Sequence, residues 1–190
     1  MKLIELEEVD STNDYLKREY QNLPMQTCVT AKYQTKGRGR NGHVWESHAN
    51  ENLIMSFLFK DFHKIEDAWK MTQLATCSVV GLLDRYRIKA TIKWPNDIVL
   101  NRKKVCGILT EMNMEIDSIA YVVVGVGINV NRMEFREDIA ETATSLKKES
   151  GHSIERAELL SEILSAFFRD YKLFLEKQDL SPFLESYNQK

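Results

Sequence analysis

The segment TCVTAKYQTKGRGRNGHVWESHANENLIMSFLF (residues 27–59) combines two strand patterns with a glycine- and arginine-rich loop. Its first part, Thr27–Gln34, alternates and is rich in β-branched residues, and its last part, Asn52–Phe59, is largely apolar. Both patterns are typical of β-strands. We therefore predict that one strand delivers the loop and that a second strand receives it.

The loop between these strands has the composition of an anion-binding site. Residues 34–45 include three glycines, two arginines, a lysine and a histidine, with no apolar side chain before Val44. Glycine allows backbone amides to turn toward a ligand, and the planar guanidinium of arginine matches carboxylate and phosphate oxygens. Amides and guanidinium groups in one loop indicate anion binding. A mobile, solvated surface loop would have the same composition.

The glycine spacing in GRGRNG at 37–42 also satisfies the GxGxxG pattern of dinucleotide-binding folds. That fold requires a helix directly after the last glycine, because the N-terminus of the helix receives the pyrophosphate. Residues 43–50 show no apolar helical period. The sequence context therefore excludes the dinucleotide-binding interpretation.

The composition is that of a globular chain with one core. A length of 190 residues, of which 43% are hydrophobic and 28% charged, predicts a single domain. A net charge of -2 argues against a general nucleic-acid binder, because the basic excess that would neutralise phosphates is missing. The cysteines, which lack CxxC spacing, are Cys28, Cys77 and Cys106. Free thiols among apolar neighbours, without a signal peptide or a transmembrane-length apolar run, predict a cytoplasmic protein.

Strand and helix patterns also flank this segment. Leu3–Val9 predicts a short strand, and Ser11 is a helix N-cap with Asp14 three residues later. The polar groups of residues 11–13 could instead face a ligand. Apolar residues three and four positions apart predict two long packed helices, over Glu66–Arg87 and from Glu155 to about Lys177.

An antiparallel meander is predicted between the two long helices. Thr91–Lys93 is a strand that must break at Trp94-Pro95, because proline removes a hydrogen-bond donor and restricts the preceding residue. Further along, the pattern predicts a hairpin, built from strand 98–100, a polar turn at 101–103 and strand 105–112. Gly107 in the second of these strands leaves room beside the backbone.

The last predicted strand, Ile119–Val130, has two different faces. Residues two apart share a face, so one face carries only valine and isoleucine from Val122 onward. The other face carries Val123, Gly125, Gly127, Asn129 and Asn131. Glycines allow a ligand to approach the backbone while asparagine binds its polar edge. A bend of the strand at the glycines is the alternative explanation.

Several common catalytic motifs are absent from the sequence. There is no GxxxxGK[ST] loop, GxSxG elbow or HExxH, and the histidines show no ligand spacing, so no protein-held metal site is expected. An anion-binding loop, a lysine on a strand beside a proline and a glycine-lined strand face remain. These features suit a ligase that activates a carboxylate by phosphate chemistry, because that reaction requires fixed positive charge around a phosphate.

The chain resembles the biotin protein ligases. Five motifs carry this resemblance in order: Asp10-Ser11-Thr12-Asn13, Gln34 with GRGRNG at 37–42 and Trp45, KWPND at 93–97, KVCGILTE at 104–111 and GVGINVN at 125–131. The resemblance implies an α+β fold with a mixed, largely antiparallel sheet flanked by helices, of the class II aminoacyl-tRNA synthetase-like or biotin–lipoate ligase type. It also implies an ATP-dependent ligase that forms biotinyl-5′-AMP and then transfers biotin to a lysine of a biotin carboxyl carrier protein.

The resemblance assigns residues to each substrate. The biotin-binding residues that it implies are Ser11, Thr12, Asn13, Gln34, Gly37, Arg38, Gly39, Arg40, Lys93 and Gly107. The nucleotide-binding residues that it implies are Arg38, Arg40, Trp45, Asn96, Gly125, Gly127 and Asn129. Lys93 and Arg40 are the implied catalytic residues, with Lys93 as the principal electrostatic catalyst. A surface lysine on an edge strand is the alternative for Lys93.

The resemblance also implies partners and domain limits. ATP is the implied co-substrate with Mg²⁺, a homodimer is compatible with the family, and neither nucleic acid nor a membrane is an expected partner. We expect a single catalytic domain over residues 1–190, without an N-terminal DNA-binding domain and without the C-terminal SH3-like domain of the family. Lipoate ligases and octanoyl transferases share the fold, but the GRGRNG and KWPND pair favours biotin. A non-catalytic biotin-binding or nucleic-acid-binding module is the remaining alternative.

Overall fold

The structure is a computed structural model that describes residues 1–183 apart from 61, 63 and 117. Its strands are β1 (Lys2–Val9), β2 (Thr27–Gln34), β3 (Asn52–Phe59), β4 (Thr91–Lys93), β5 (Asp97–Leu100), β6 (Lys103–Glu115) and β7 (Ser118–Asn129). Its helices are α1 (Thr12–Glu19), α2 (Ile65–Arg85), α3 (Glu137–Ala140), α4 (Leu146–Ser150) and α5 (Arg156–Lys177). The two strands on either side of the glycine–arginine loop have the predicted bounds.

The seven strands form one mixed sheet in the order β1-β2-β3-β7-β6-β5-β4. β1 and β2 are parallel, whereas β2–β3, β4–β5 and β5–β6 are antiparallel pairs. The prediction of an α+β fold with a mixed sheet and flanking helices is confirmed. Among the described residues, no helix is long and apolar enough to span a bilayer.

Two compact units make up the chain. The first consists of Met1–Thr72 and Ile108–Ile128, and the second of Gln73–Gly107 and Asn129–Lys190. The single catalytic domain over residues 1–190 therefore stays a prediction.

Helix α1 is held in the first unit by its apolar side. Its Leu16 is fully buried, and Leu23 just beyond the helix packs into the same cluster. The cluster also contains Val29 of β2, Leu58 of β3 and Val123 of β7. Burial of a leucine side chain contributes about 1.5–3 kcal/mol. This packing fixes the N-terminus of α1, where the DSTN motif lies.

Helix α5 supplies much of the apolar core of the second unit. Its buried side chains recur at three and four positions, as predicted, and include Ile163, Phe167, Tyr171 and Phe174. Asp170 is also buried, and it accepts a hydrogen bond of 2.8 Å from the hydroxyl of Ser78. A buried carboxylate requires such a partner because desolvation of an unpaired charge is costly.

The hairpin between β5 and β6 is present, but its strands are longer than predicted: β5 begins at Asp97 rather than at 98, and β6 runs to Glu115 rather than to 112. The connection is the two-residue turn Asn101–Arg102, and Lys103 already belongs to β6. Both turn residues have positive φ, 48° and 67°. Two positive φ values give the turn the twist that joins antiparallel strands most directly. The polar character of residues 101–103 could not by itself distinguish a two-residue turn from a three-residue one.

Candidate functional site

The two units divide the predicted site residues between them. The first unit contains Ser11, Thr12, Asn13, Gln34, Gly37, Arg38, Gly39, Arg40, Trp45, Gly125 and Gly127. The second unit contains Lys93, Asn96, Gly107 and Asn129.

The start of α1 and the end of β2 are joined by a buried hydrogen-bonded pair. Ser11 is the N-cap of α1, and its hydroxyl accepts from the amide of Asp14 at 3.4 Å, as predicted. The next residue, Thr12, is buried, and both its amide and its hydroxyl lie within hydrogen-bond distance of Gln34 Oε1, at 2.7 and 3.0 Å. The carboxamide oxygen of Gln34 is thereby turned toward α1. Its Nε2 end lies beside Gly37, since a Cβ atom there would be 3.0 Å away.

Asn13 is held by hydrogen bonds on every side of its carboxamide. Its Nδ2 donates to the carbonyl of Leu109 at 3.2 Å and to Glu111 Oε2 at 2.9 Å. On the other side, Ser56 Oγ lies 2.6 Å from Asn13 Oδ1 and 2.7 Å from Thr12 Oγ1. These contacts within the protein fix the side chain of Asn13.

Sequence reasoning missed Ser56 and Glu111 as parts of this network. Ser56 is the only hydroxyl in the buried run NLIMSFLF of β3, and a buried hydroxyl is expected to have a hydrogen-bond partner. The isolated hydroxyl of Ser56 could therefore have indicated a buried hydrogen bond to another element. Glu111 closes the KVCGILTE motif, but nothing in its neighbours along the chain identifies its partners.

The glycine–arginine loop forms a small hairpin. The amide of Gly39 donates to the carbonyl of His43 at 2.8 Å across the loop. The tip, Arg40–Gly42, is a 3₁₀ turn in which Gly42 has φ +77°, a left-handed conformation that favours glycine. No helix follows Gly42, so the exclusion of the dinucleotide-binding fold is confirmed. Arg40 is exposed at this tip.

The glycine-lined face of β7 is covered by side chains of the protein itself. A Cβ atom on Gly127 would lie 2.5 Å from Cε2 of the Trp45 indole, and one on Gly125 would overlap Oδ1 of Asn13. Gly37 fits closely in the same way, because a Cβ atom there would overlap the carbonyl oxygen of Trp45. These glycines therefore make room for two of the predicted site residues. The sequence could only predict that something approaches this face.

A cavity of about 400 Å³ lies along the outer part of the loop in the first unit. It is lined by Tyr33, Gln34, Thr35, Gly37, Val44, Trp45, Glu46, Ser47, His48 and Ala49. Ser47 fixes one wall, because its hydroxyl accepts from the amide of Gln34 at 2.9 Å and donates to the Gln34 carbonyl at 3.0 Å. The volume of this cavity lies within the range of small-molecule pockets.

Arg38 is paired with two carboxylates. Its Nη1 lies 2.6 Å from Asp14 Oδ1 and its Nη2 lies 3.2 Å from Glu111 Oε1. Lys17 contacts the same two oxygens, at 2.5 and 3.0 Å. Burial would lower the pKa of Lys17, but its hydrogen bonds to Asp14 and Glu111 outweigh burial and raise it. The four charges form one compact ion cluster beside the loop.

In the second unit, backbone pairing aligns the KWPND and KVCG motifs. Asp97 on β5 pairs with Lys93 on β4 and with Gly107 on β6. The strand β4 is the edge of the sheet, and the side chain of Lys93 is exposed. Lys104 on β6 is more firmly held, because its Nζ lies 2.7 Å from Asp97 Oδ1.

The backbone of Lys104 is also anchored. Its amide donates to Thr142 at 2.7 Å, and its carbonyl accepts from the amide of Thr144 at 2.9 Å. The carbonyl of Thr144 in turn accepts from Nδ2 of Asn129 at 3.0 Å, and Asn129 is buried. Asn96 lies in the turn between β4 and β5. Asn129 and Lys104 are thus linked through one short backbone segment.

Burial makes the three thiols poor candidates for a nucleophile. Cys28, Cys77 and Cys106 are all free and buried, and burial raises the pKa of Cys28 and of Cys106 far above neutrality. Within the described part of the chain, no group of three or more His, Cys, Asp or Glu is arranged to hold a metal ion.

Known proteins that are similar to this chain in sequence include biotin ligases. The bifunctional ligase/repressor BirA of Bacillus spizizenii is 41% identical over 156 residues, which are 79% of this chain and 48% of that protein. The biotin--[acetyl-CoA-carboxylase] ligase of Paracoccus denitrificans is 31% identical over 170 residues, 86% of this chain and 70% of that protein. The chain spans about half the length of the BirA relatives that it matches.

The fold of the chain is similar to that of a solved biotin protein ligase. The biotin protein ligase from Aquifex aeolicus in complex with biotin and ATP superposes with a TM-score of 0.81 at 37% identity, over 93% of this chain and 72% of that chain. The Biotin/lipoate A/B protein ligase family matches residues 5–129, more than half of the sequence. The chain therefore belongs to the biotin/lipoate A/B protein ligase family.

Proposed function

We propose that the chain is a biotin ligase that uses ATP to activate biotin and then transfers biotin to a lysine of a biotin carboxyl carrier protein. Membership of the family supports the reaction class. The names of the BirA and biotin--[acetyl-CoA-carboxylase] ligase relatives favour biotin over lipoate within that family.

The observation that carries this proposal is the buried polar set at the junction of α1 and β2. Thr12 and Gln34 are joined by hydrogen bonds of 2.7 and 3.0 Å, and Gln34 also lines the cavity of about 400 Å³. A few fixed polar groups beside a cavity are the usual means of orienting a small ligand. The ureido group of biotin offers hydrogen-bond donors and an acceptor to such a set, whereas the dithiolane ring of lipoate offers none.

The proposed first step joins the carboxylate of biotin to the α-phosphorus of ATP. A carboxylate oxygen attacks the phosphorus, the bond to the bridging oxygen breaks, and pyrophosphate leaves. Negative charge must be stabilised on the phosphoryl oxygens and on pyrophosphate, which fixed cations accomplish. We propose Arg38, Arg40 and Lys93 for binding these groups, and Mg²⁺ would accompany ATP and neutralise part of its phosphate charge.

Lys104 is a second candidate for the fixed cation. Its side chain, which is 38% exposed, forms an ion pair with Asp97, and its backbone is hydrogen-bonded to two further residues, whereas Lys93 is exposed on the edge strand. A charge that is already oriented stabilises a transition state without reorganisation. This contrast supports Lys104 as the cation with the greater effect on the rate.

The proposed second step transfers the biotinyl group. The neutral amine of the carrier lysine attacks the acyl carbon of biotinyl-5′-AMP, an amide bond forms, AMP leaves, and the amine proton passes to solvent. We also propose a cytoplasmic location, supported by three free cysteines in the described structure. A homodimer is proposed from the family resemblance alone.

The experiment that tests the proposal is incubation with labelled biotin, ATP, Mg²⁺ and a biotin carboxyl carrier domain. We expect label on the carrier only when all components are present. Labelled lipoate in a parallel reaction separates the two ligase types of the family. Gln34→Leu, which removes the amide that lines the cavity, should abolish most of the labelling. Equal transfer of lipoate and biotin, or no transfer of either, would contradict the proposal.

A further inference from the structure

Two cations in the first unit share the same two carboxylate oxygens. Asp14 Oδ1 lies 2.5 Å from Lys17 Nζ and 2.6 Å from Arg38 Nη1. Glu111 Oε1 lies 3.0 Å from Lys17 Nζ and 3.2 Å from Arg38 Nη2. Each carboxylate therefore meets one cation from helix α1 and one from the glycine–arginine loop. With two positive and two negative side chains, the cluster is formally neutral.

The two cations differ in how they are held. Lys17 belongs to a helix whose apolar side is buried, and its own side chain is only 22% exposed. Arg38 belongs to a hairpin loop, and its side chain is 45% exposed. The carboxylate of Glu111 is also fixed from behind, because its other oxygen accepts from Asn13. Lys17 and the two carboxylates are thus less exposed than Arg38, which is the most exposed member of the cluster.

We propose that Lys17 is a positioning residue that controls how available Arg38 is to an anionic ligand. Lys17 neutralises part of the charge on Asp14 and Glu111, so it weakens their hold on Arg38. When a carboxylate or phosphate group draws Arg38 away, Lys17 remains to pair both carboxylates. The cost of leaving two close negative charges unpaired is thereby avoided. The inference rests on the proposed function only for the identity of the anion.

The inference gives opposite effects for two substitutions in the same cluster. Lys17→Met removes the competing cation, so both carboxylates bind Arg38 alone and the loop is held more tightly. Asp14→Asn removes one carboxylate, so Arg38 and Lys17 compete for Glu111 and the loop is held less tightly. A purely structural role for the cluster would loosen the loop in both variants, because each loses an ion pair.

Hydrogen exchange of residues 36–45 in the ligand-free protein measures this difference directly. We expect exchange to slow by roughly threefold to tenfold in Lys17→Met and to accelerate by a similar factor in Asp14→Asn, the scale of one or two partly exposed ion pairs. Lys17→Arg, which keeps the charge, should resemble the wild type. Lys32→Met breaks the exposed pair with Glu7 at 2.8 Å elsewhere in the unit and should leave the loop unchanged. Faster exchange in both Lys17→Met and Asp14→Asn would overturn the inference.

Ligand titrations form a second arm of the test. Lys17→Met should weaken the binding of at least one anion, biotin or ATP, by about threefold to tenfold, and should leave the neutral amide of biotin unaffected. An equal loss for biotin and its amide, or no loss for either anion, would overturn the inference. Failure of the wild-type protein to bind biotin would contradict the proposed function instead, and the exchange measurement would still decide the role of Lys17.

Discussion

The indole of Trp45 packs so closely on Gly127 that a methyl side chain at residue 127 does not fit. A Cβ atom at residue 127 would lie 2.5 Å from Cε2 and 2.8 Å from Nε1 of the indole. Gly127→Ala should displace Trp45 and lower the free energy of unfolding by about 1–3 kcal/mol, the range for overpacking. Urea unfolding and the tryptophan emission spectrum measure the two effects.

The control for this substitution is Gly81→Ala. Gly81 lies within α2, and a Cβ atom there meets nothing within 4 Å. Alanine should therefore stabilise the helix by about 0.5–1 kcal/mol, because glycine loses more backbone entropy on folding. Unchanged stability and emission in Gly127→Ala would show that Trp45 does not depend on the missing side chain.

Lys104 and Lys93 provide a second test at the scale of single residues. We expect Lys104→Ala to slow adenylate formation by roughly 10² to 10³-fold, the scale for loss of one oriented donor, because Lys104 is anchored by Asp97. Lys93→Ala should slow it by less than about tenfold, since an exposed edge-strand charge is screened by water. Single-turnover rates at saturating biotin and ATP measure both. The reverse order would assign the charge to Lys93, as the family resemblance implies.

At the scale of elements, the start of α1 depends on an ion pair that titrates. The guanidinium of Arg18 lies 2.6 and 3.0 Å from the two oxygens of Asp10 and lowers the pKa of this carboxyl to about 2. Because the pKa of Asp10 is lowered on folding, the ion pair stabilises the fold at pH values above 3.8, the ordinary pKa of the carboxyl. This contribution is lost as the pH falls from about 4 to 2. Both side chains are more than one third exposed, so the contribution is below about 1 kcal/mol.

Arg18→Gln tests this pairing. The variant should be less stable than the wild type at pH 7, and the difference should shrink steadily as pH falls from 4 toward 2, because protonated Asp10 no longer gains from the arginine. Urea unfolding at several pH values measures the difference. A difference that does not change with pH would show that Arg18 acts through packing rather than through charge.

The glycine–arginine loop carries a charged, exposed side chain at its tip. Arg40 lies at its tip, and loss of its charge should weaken retention of biotinyl-5′-AMP by the proposed enzyme. Arg40→Gly should therefore release adenylate and label lysines of an added bystander protein. Asn41→Gly is the matched control, because Asn41 already has φ 54° and carries no charge. Bystander labelling that is equal in both variants would contradict a role for the arginine.

The elements that could be predicted from the sequence are those with a strong local pattern. The strands β2 and β3 have the predicted bounds, and Ser11 caps α1 as expected. In contrast, β6 begins at Lys103 rather than after it. That boundary depends on two positive φ values in the turn, which the residue types at 101–103 do not specify.

At the scale of the whole molecule, the hydrogen-bond network around the predicted site residues could not be foreseen from the sequence. Asn13 and Glu111 are 98 residues apart in the sequence, and Ser56 is 43 residues from Asn13. Such pairs are fixed by strand order and register, which a single sequence does not specify. The motifs predicted candidate site residues, whereas the fold explains how Thr12, Gln34 and Arg38 are each held.

We propose that this chain activates biotin with ATP. Pyrophosphate release measures it most directly, because adenylation is complete before any carrier protein is required. With the purified chain, Mg²⁺ and ATP, we predict release that depends on added biotin, follows its concentration to saturation and yields biotinyl-5′-AMP in equal amount. Equal release without biotin, or binding of biotin with no adenylate formed, would show that the chain does not activate biotin.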